Sequence, residues 1–399
     1  MKFADRIRRP ISDAELKRRW SLIRNMLKEK DLDCLFVQNS NMALGGYVRW
    51  FTDVPAEYNL PMTVLFPTDG EMTLVRSCPS PLAPYPPLWA ARGVSEILNA
   101  PFSPTLNYTA DIEAGLAIDY FKKRNVKRVG FVNLAMISSG FMVRLKAALP
   151  NVEFVDVTEE VDLFKALKSD EEMELIREVV KVQDAAWSAL PAVVKPGMKE
   201  YQIRSELMEL MMNLGSEEHL MFMGTANPGK ACGMAMFNFA NRTVQPGDYG
   251  TLLIEVSGPG GYYAESARNF CFGEPIKAMV DMWDAAVKGQ QLTADLLVNG
   301  QDSKVIVREY NKFISGLGYC TEGRLYGHSQ GYDLIERPAF MADDEWGVET
   351  MPILAGMNCS LHPFITNNEC TVYINDNYYV SPNGPPIKLH KTPPEIIIL

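Results

Sequence analysis

The stretch that most constrains this 399-residue chain is Gly247-Asp248-Tyr249-Gly250-Thr251-Leu252-Leu253-Ile254-Glu255-Val256. Its short apolar run reads as a buried strand, yet it carries a glutamate near its end. A carboxylate buried there without a partner is costly. The chain returns through Gly261-Tyr262-Tyr263-Ala264-Glu265-Ser266-Ala267-Arg268-Asn269-Phe270, so paired strands are expected between 248 and 272, with Glu265 on the second. Taken alone, each glutamate is more often a satisfied or solvated acid than a catalyst. Two of them on neighbouring strands ask for a shared explanation.

The first half has a different rhythm. Residues 13–30 read as an amphipathic helix capped by Ser12 or Asp13. Short apolar runs follow at Asp33–Val37, Met62–Phe66, Met72–Val75 and Arg128–Val132, with helical stretches near 110–123 and 137–148. Helices alternating with buried strands imply an α/β domain. Pro79 to Pro87 reads as a loop. The long helix from Ser169-Asp170-Glu171-Glu172 to about Leu190 has a serine cap and acids in its first turn. It opens a second domain with a helix at about 199–213, the paired strands, helices near 276–297 and 303–317, and strand-like pieces from Gly327 onward. The expected division is 1–164, an α/β N-terminal domain, and 165–399, an α+β domain.

Composition narrows the function classes. A formal charge of −10 and no basic stripe argue against a nucleic-acid surface. The N-terminal segment is charged, and no stretch approaches the ~20 apolar residues that span a bilayer. The seven cysteines are scattered without a CxxC, as expected of reduced, buried thiols in a cytoplasmic protein.

Only four histidines occur. Two lie in unusual segments: Gly327-His328-Ser329-Gln330-Gly331-Tyr332-Asp333-Leu334-Ile335-Glu336-Arg337-Pro338, and Gly356-Met357-Asn358-Cys359-Ser360-Leu361-His362-Pro363. Glycines around His328 suit a backbone that must approach another group closely. A weaker piece follows at Val372-Tyr373-Ile374-Asn375-Asp376-Asn377. In order and spacing these five segments resemble the creatinase/prolidase/aminopeptidase P family, the pita-bread proteins. The resemblance carries Gly261-Tyr262, Glu265, Arg268 and Phe270, then Gly327-His328, Gly331, Glu336 and Pro338, then Gly356-Met357 and Pro363, then Asp376 and Val380. It implies a pita-bread C-terminal domain, a creatinase-type N-terminal domain and a homodimer.

The family's peptidases hold two divalent metals with Asp, Asp, His, Glu and Glu. The matching positions here are Glu255, Glu265, His328, His362 and Asn375. Only the histidine is unchanged, and two carboxylates remain to bridge two dications. The family's carbonyl-binding histidine slot holds Ile335, and its earlier histidine slot falls in Met234–Phe239, which has no histidine. The resemblance thus implies a creatinase-like hydrolase or lyase without the two-metal centre. It would cleave a C–N or other C–heteroatom bond of a small molecule by acid–base work of Glu255, Glu265, His328 and His362, and would need no cofactor. One alternative is a divergent Xaa-Pro dipeptidase retaining a single divalent metal on Glu265, His328 and His362. Another is a non-catalytic binding protein. Asn375, Tyr262, Phe237 and Arg337 are the candidate substrate contacts. The expected partners are a small-molecule substrate and a second copy of the chain, with neither nucleic acid nor membrane.

Overall fold

The computed structural model describes residues 8–39, 46–55, 62–78, 86, 90–101, 110–235, 240–341 and 351–399. The expected loop from Pro79 to Pro87 falls outside these residues except at Pro86, and so does Phe237. The chain divides into two compact units, Met1–Lys165 and Ala166–Leu399.

In the first unit the helices are α1 (Asp13–Glu29), α2 (Tyr47–Thr52), α3 (Asp111–Lys123), α4 (Ser139–Ala148) and α5 (Thr158–Ala166). The strands are β1 (Cys34–Asn39), β2 (Met62–Pro67), β3 (Met72–Cys78), β4 (Val94–Pro101), β5 (Arg128–Phe131) and β6 (Glu153–Asp156). Helix α1 starts where its cap predicts, with Ser12 Oγ accepting from the Glu15 amide at 3.1 Å. The strands form one sheet in the order β4-β3-β2-β1-β5-β6. Its β1–β5 and β5–β6 pairs are parallel and its β1–β2 pair antiparallel. Phe36 and Val129 pack from the sheet against Phe121 of α3 and Phe141 of α4. Burying each such side chain stabilises the fold by about 1.5–3 kcal/mol.

The second unit contains α6 (Asp170–Val193), α7 (Glu200–Asn213), α8 (Lys277–Ala294) and α9 (Ser303–Gly316). Around them run β7 (His219–Ala226), β8 (Tyr249–Ser257), β9 (Tyr263–Cys271), β10 (Gly327–Ser329), β11 (Glu336–Phe340), β12 (Asn358–Leu361), β13 (Phe364–Thr366), β14 (Thr371–Tyr373), β15 (Asp376–Tyr379), β16 (Ile387–Lys388) and β17 (Ile397–Ile398). Ser169 and Glu172 close a capping box at the start of α6. From there Ile176, Val179, Val180, Gln183, Trp187 and Leu190 turn a buried stripe toward the sheet. The Gln183 amide crosses to the carbonyls of Ile254 and Ala264 at 3.1 and 2.6 Å, tying the helix across the β8–β9 pair.

Two sheets position the glutamates and histidines, β17-β9-β8-β7 and β11-β10-β12-β15-β16. Ala267 of β9 and Asn375, just before β15, exchange N–H···O bonds of 3.2 Å, and the Tyr263 amide of β9 donates to the Gly331 carbonyl, just past β10, at 2.7 Å. No helix of the described residues is long and apolar enough to cross a membrane.

Candidate active site

Strands β8 and β9 are buried along their whole length. Because alternate side chains of a strand point to opposite faces, each strand divides its residues between two surroundings. Leu252, Ile254, Val256, Ala264 and Phe270 join the core with α6. The other face carries Thr251, Leu253 and Glu255 from β8, and Glu265, Ala267 and Asn269 from β9. The antiparallel register sets Glu255 directly opposite Glu265.

Like charges in that position repel. The pair is held by a hydrogen bond between the two side chains. Burial first, and the neighbouring Glu265 second, push Glu255 well above the usual carboxylate range. Gln330 Nε2 donates to Glu255 Oε1 at 3.0 Å, a bond that pulls the other way and only partly offsets burial and Glu265. Gln330 is itself set by Asn377, whose Nδ2 donates to its Oε1 at 2.9 Å.

Glu265 is the opposite case. Burial would raise it, but His328 and His362 and the hydrogen bonds from Ser360 and Asn375 outweigh that and hold it below the usual range. Ser360 Oγ and Asn375 Nδ2 both donate to its Oε1. The Ala267–Asn375 bridge is what brings the Asn375 amide there.

His328 stands on β10 between β11 and β12. A Cβ on Gly327 would lie 2.3 Å from the Ser360 carbonyl oxygen, and one on Gly331 would lie 2.4 Å from Glu336 Oε1. Those are the close approaches that the glycines permit. His328 Nδ1 is 3.0 Å from the Ser329 carbonyl. A carbonyl only accepts, so this bond places a proton on Nδ1, and in the neutral ring the lone pair is then on Nε2. That Nε2 faces Glu265 Oε1 at 3.6 Å, too far for a hydrogen bond.

His362 follows β12, and its Nε2 lies 3.8 Å from the same oxygen. Burial pushes it down to about 4, against the pull of Glu265, so it is neutral at pH 7. Its Nδ1 is buried and has no hydrogen-bond partner among the described residues. Tyr373 sets its ring nearly perpendicular to His362, with centroids 6.2 Å apart. Glu265, His328 and His362 each offer a ligand atom within 4.8 Å of the others.

Five candidates therefore meet in one place: Glu255, Glu265, His328, His362 and Asn375. Tyr262 is turned to the other side, its hydroxyl donating to Glu172 of α6 at 2.8 Å and its ring against Tyr332. Arg337 lies half-buried on β11 beside Glu336, whose carboxylate pairs with buried Lys168. His219 bonds Ser216 Oγ, and His390 lies against Asp376 and Gln183, so neither joins the cluster. Sequence reasoning missed Gln330, Ser360, Tyr373 and Asn377. The signal was strand alternation: each stands two residues from His328, His362 or Asn375.

A cleft of about 480 Å³, lined by Asp184, Trp187, Lys391 and Ile397 among others, opens beside α6. The Trp187 indole donates to Ser266 on the helix-facing side of β9, so this cleft does not serve the glutamate face.

Residues 174–382 match the model of metallopeptidase family M24. An uncharacterized peptidase of Bacillus subtilis, YqhT, is 26% identical over 290 residues, covering 70% of this chain and 78% of its own. A creatinase from a Bacillus species is 26% identical over 204 residues, 47% of each chain. An X-Pro aminopeptidase structure from Thermotoga maritima superposes with a TM-score of 0.79 at 16% identity, over 95% of this chain and 99% of its own. At that identity the structural likeness speaks for the fold alone.

Proposed function

Because this chain belongs to metallopeptidase family M24, with the pita-bread fold in its second unit, we propose that it is a creatinase-like, non-peptidase hydrolase. Its substrate is a small molecule, cleaved at a C–N or other C–heteroatom bond by the Glu255, Glu265, His328 and His362 set. One observation carries the reading. Two carboxyls lie in register, Glu255 pushed above the usual carboxylate range and Glu265 held below it, and His328 Nε2 faces Glu265 across 3.6 Å.

The roles follow from which atoms hold protons. His328 Nε2 takes a proton from water, and Ser329 O keeps the ring in the tautomer that allows it. The imidazolium so formed is stabilised by Glu265, which its Ser360 and Asn375 donors keep ionised. The hydroxide adds to the electrophilic carbon. As the C–heteroatom bond breaks, Glu255 gives its proton to the leaving atom, and the proton on His328 then restores Glu255. His362, neutral and with Nδ1 unpartnered among the described residues, is placed to hydrogen-bond the substrate.

The residues fit one metal better than two. Asn375 turns an N–H donor toward Glu265, not a lone pair, and the two glutamates share a proton. A pair of hard cations needs more anionic oxygen than this. Two nitrogen lone pairs and a carboxylate oxygen at 3.6 and 3.8 Å are compatible with one cation of the zinc or cobalt type at bonds of about 2 Å. Held there, it would supply Lewis-acid polarisation of a carbonyl. That donor set favours a second reading, a divergent Xaa-Pro dipeptidase with a single metal.

The test is a substrate screen on chelator-treated protein, set beside a panel of Xaa-Pro dipeptides with manganese, cobalt or zinc. The favoured reading expects small-molecule turnover indifferent to chelator, with His328→Ala lowering kcat by roughly 10²–10⁴-fold. Full activity in both His328→Ala and His362→Ala would sink it. Dipeptide hydrolysis that needs one metal per chain would replace it with the second reading. The proposal includes a cytoplasmic homodimer, to be checked by sedimentation and cell fractionation.

A further inference from the structure

The glutamate face of the sheet continues into an apolar wall. Phe222 of β7 stands opposite Leu253 of β8, two residues along the strand from Glu255 and on the same face. Leu253, Ala267 and Tyr373 form a buried cluster there, against which Phe222, Met234 and Phe364 pack while staying partly exposed. The rings form a series: Phe364 meets Tyr373 edge-on at 5.5 Å, and Tyr373 meets His362 at 6.2 Å. At the outer end lies Arg324, its guanidinium carbon 4.4 Å from the centre of the Phe364 ring.

Arg324 is held rigidly. Glu322 takes its Nε at 3.0 Å and its Nη2 at 2.6 Å, and also accepts from its backbone N–H. Among the described residues Nη1 has no acceptor, and the side chain is 52% exposed. A guanidinium fixed on two nitrogens presents its third as a pre-oriented donor, for which a carboxylate oxygen is the best-matched partner. Partly exposed aromatic and thioether side chains beside a polar centre are the usual lining for an apolar ligand body.

We propose that the substrate is a small aromatic acid: its flat apolar body lies on the Phe222–Met234–Phe364 wall and its carboxylate meets Nη1 of Arg324. This rests on the small-molecule reading above and names the substrate class. The wall sets the body in the direction of His362, so the bond to be cleaved lies between the aromatic group and the glutamate pair. The sequence pointed this way only through the Met- and Phe-rich segment 234–239.

The experiment is equilibrium binding to the full chain by calorimetry, with phenylacetate, acetate, phenethylamine and phenylacetamide as probes. Phenylacetate should bind at least roughly tenfold more tightly than acetate or phenethylamine. Arg324→Gln should erase its advantage over neutral phenylacetamide, and Arg324→Lys should restore part of it. Phe364→Leu should weaken phenylacetate and phenylacetamide alike, leaving acetate unchanged. Circular dichroism verifies that each variant is folded. Equal binding of phenethylamine and phenylacetate, no binding of any probe, or an Arg324→Gln variant that keeps its preference overturns the proposal. Because turnover is not read, a failed search for catalysis leaves this result standing, and a failed binding test leaves the acid–base reading standing.

Discussion

Replacing Glu255 with glutamine should leave the fold at least as stable as the parent near pH 8, although it removes a buried carboxyl from the centre of the site. Glu255 is 4% exposed, receives a hydrogen bond from Gln330 and bonds Glu265. A protonated glutamate does this with one carbonyl oxygen and one O–H donor. A glutamine offers a carbonyl oxygen and an N–H donor in the same places, so no buried group loses its partner. Such losses are what make buried polar substitutions costly, at about 1–3 kcal/mol each.

The pH dependence separates the two proteins. The folded pKa of Glu255 lies above its ordinary 4.5. The stability tied to its proton is therefore fully present below that value and is lost as pH rises toward the folded pKa. The loss is up to about 1.4 kcal/mol for each pH unit in that window. Glu265 is shifted the other way and titrates below the window, so its contribution does not mask the effect. Urea unfolding of chelator-treated parent and E255Q, at intervals from pH 5 to pH 8, measures the difference directly. E255Q should gain on the parent steadily as pH rises. A difference that is flat with pH, or an E255Q destabilised by more than about 2 kcal/mol at pH 8, would show that Glu255 is ionised in the folded chain. Glu265→Gln should instead cost about 1.5–3 kcal/mol at pH 7, because Ser360 and Asn375 lose a charged acceptor.

Two further substitutions probe the frame around the site. A Cβ on Gly224 would lie 1.5 Å from the Gly233 carbonyl oxygen, so Gly224→Ala should destabilise by about 3 kcal/mol or more, read as a lowered urea midpoint; near-parental stability would mean that β7 can move away from that segment freely. Arg268 is fully buried, paired with Asp376 at 2.7 Å and bonded to the carbonyls of Asn375, Thr392 and Pro393, so Arg268→Met should cost about 3–5 kcal/mol by leaving Asp376 without its main partner, seen as a fall in Tm.

Legibility from the sequence followed the range of the interaction. Helices α1 and α6 were readable because their caps are local: Ser12 bonds an amide three residues on, as Ser169 does. The β8–β9 pair was readable because both strands are long, buried and joined by a short turn. Strand β7 was not. His219-Leu220-Met221-Phe222-Met223 mixes strong helix formers with an aromatic and shows no alternation, so only its pairing with β8 over eight residues makes it a strand. Strand β4, the short strand β6 and the helices α2 and α5 carried signals too weak to separate from loops.

The candidate site divides along the same line. His328, His362 and the glutamates are scarce or costly residues that mark themselves. Gln330, Ser360, Tyr373 and Asn377 are common polar or aromatic residues, which alternation alone assigns to the faces of His328, His362 and Asn375. Alternation also explains Tyr262: it stands three residues before Glu265, an odd step that sends it toward Glu172 on α6 while Glu265 faces the histidines. Belonging to the same segment is thus no sign of belonging to the same site, and parity along the strand is. What no local pattern supplies is the meeting of Glu265 with Asn375, 110 residues apart, beside the backbone bridge between Ala267 and Asn375. The proposed chemistry depends on that bridge, because the Asn375 amide helps to hold Glu265 below the usual carboxylate range while Glu255 is pushed above it.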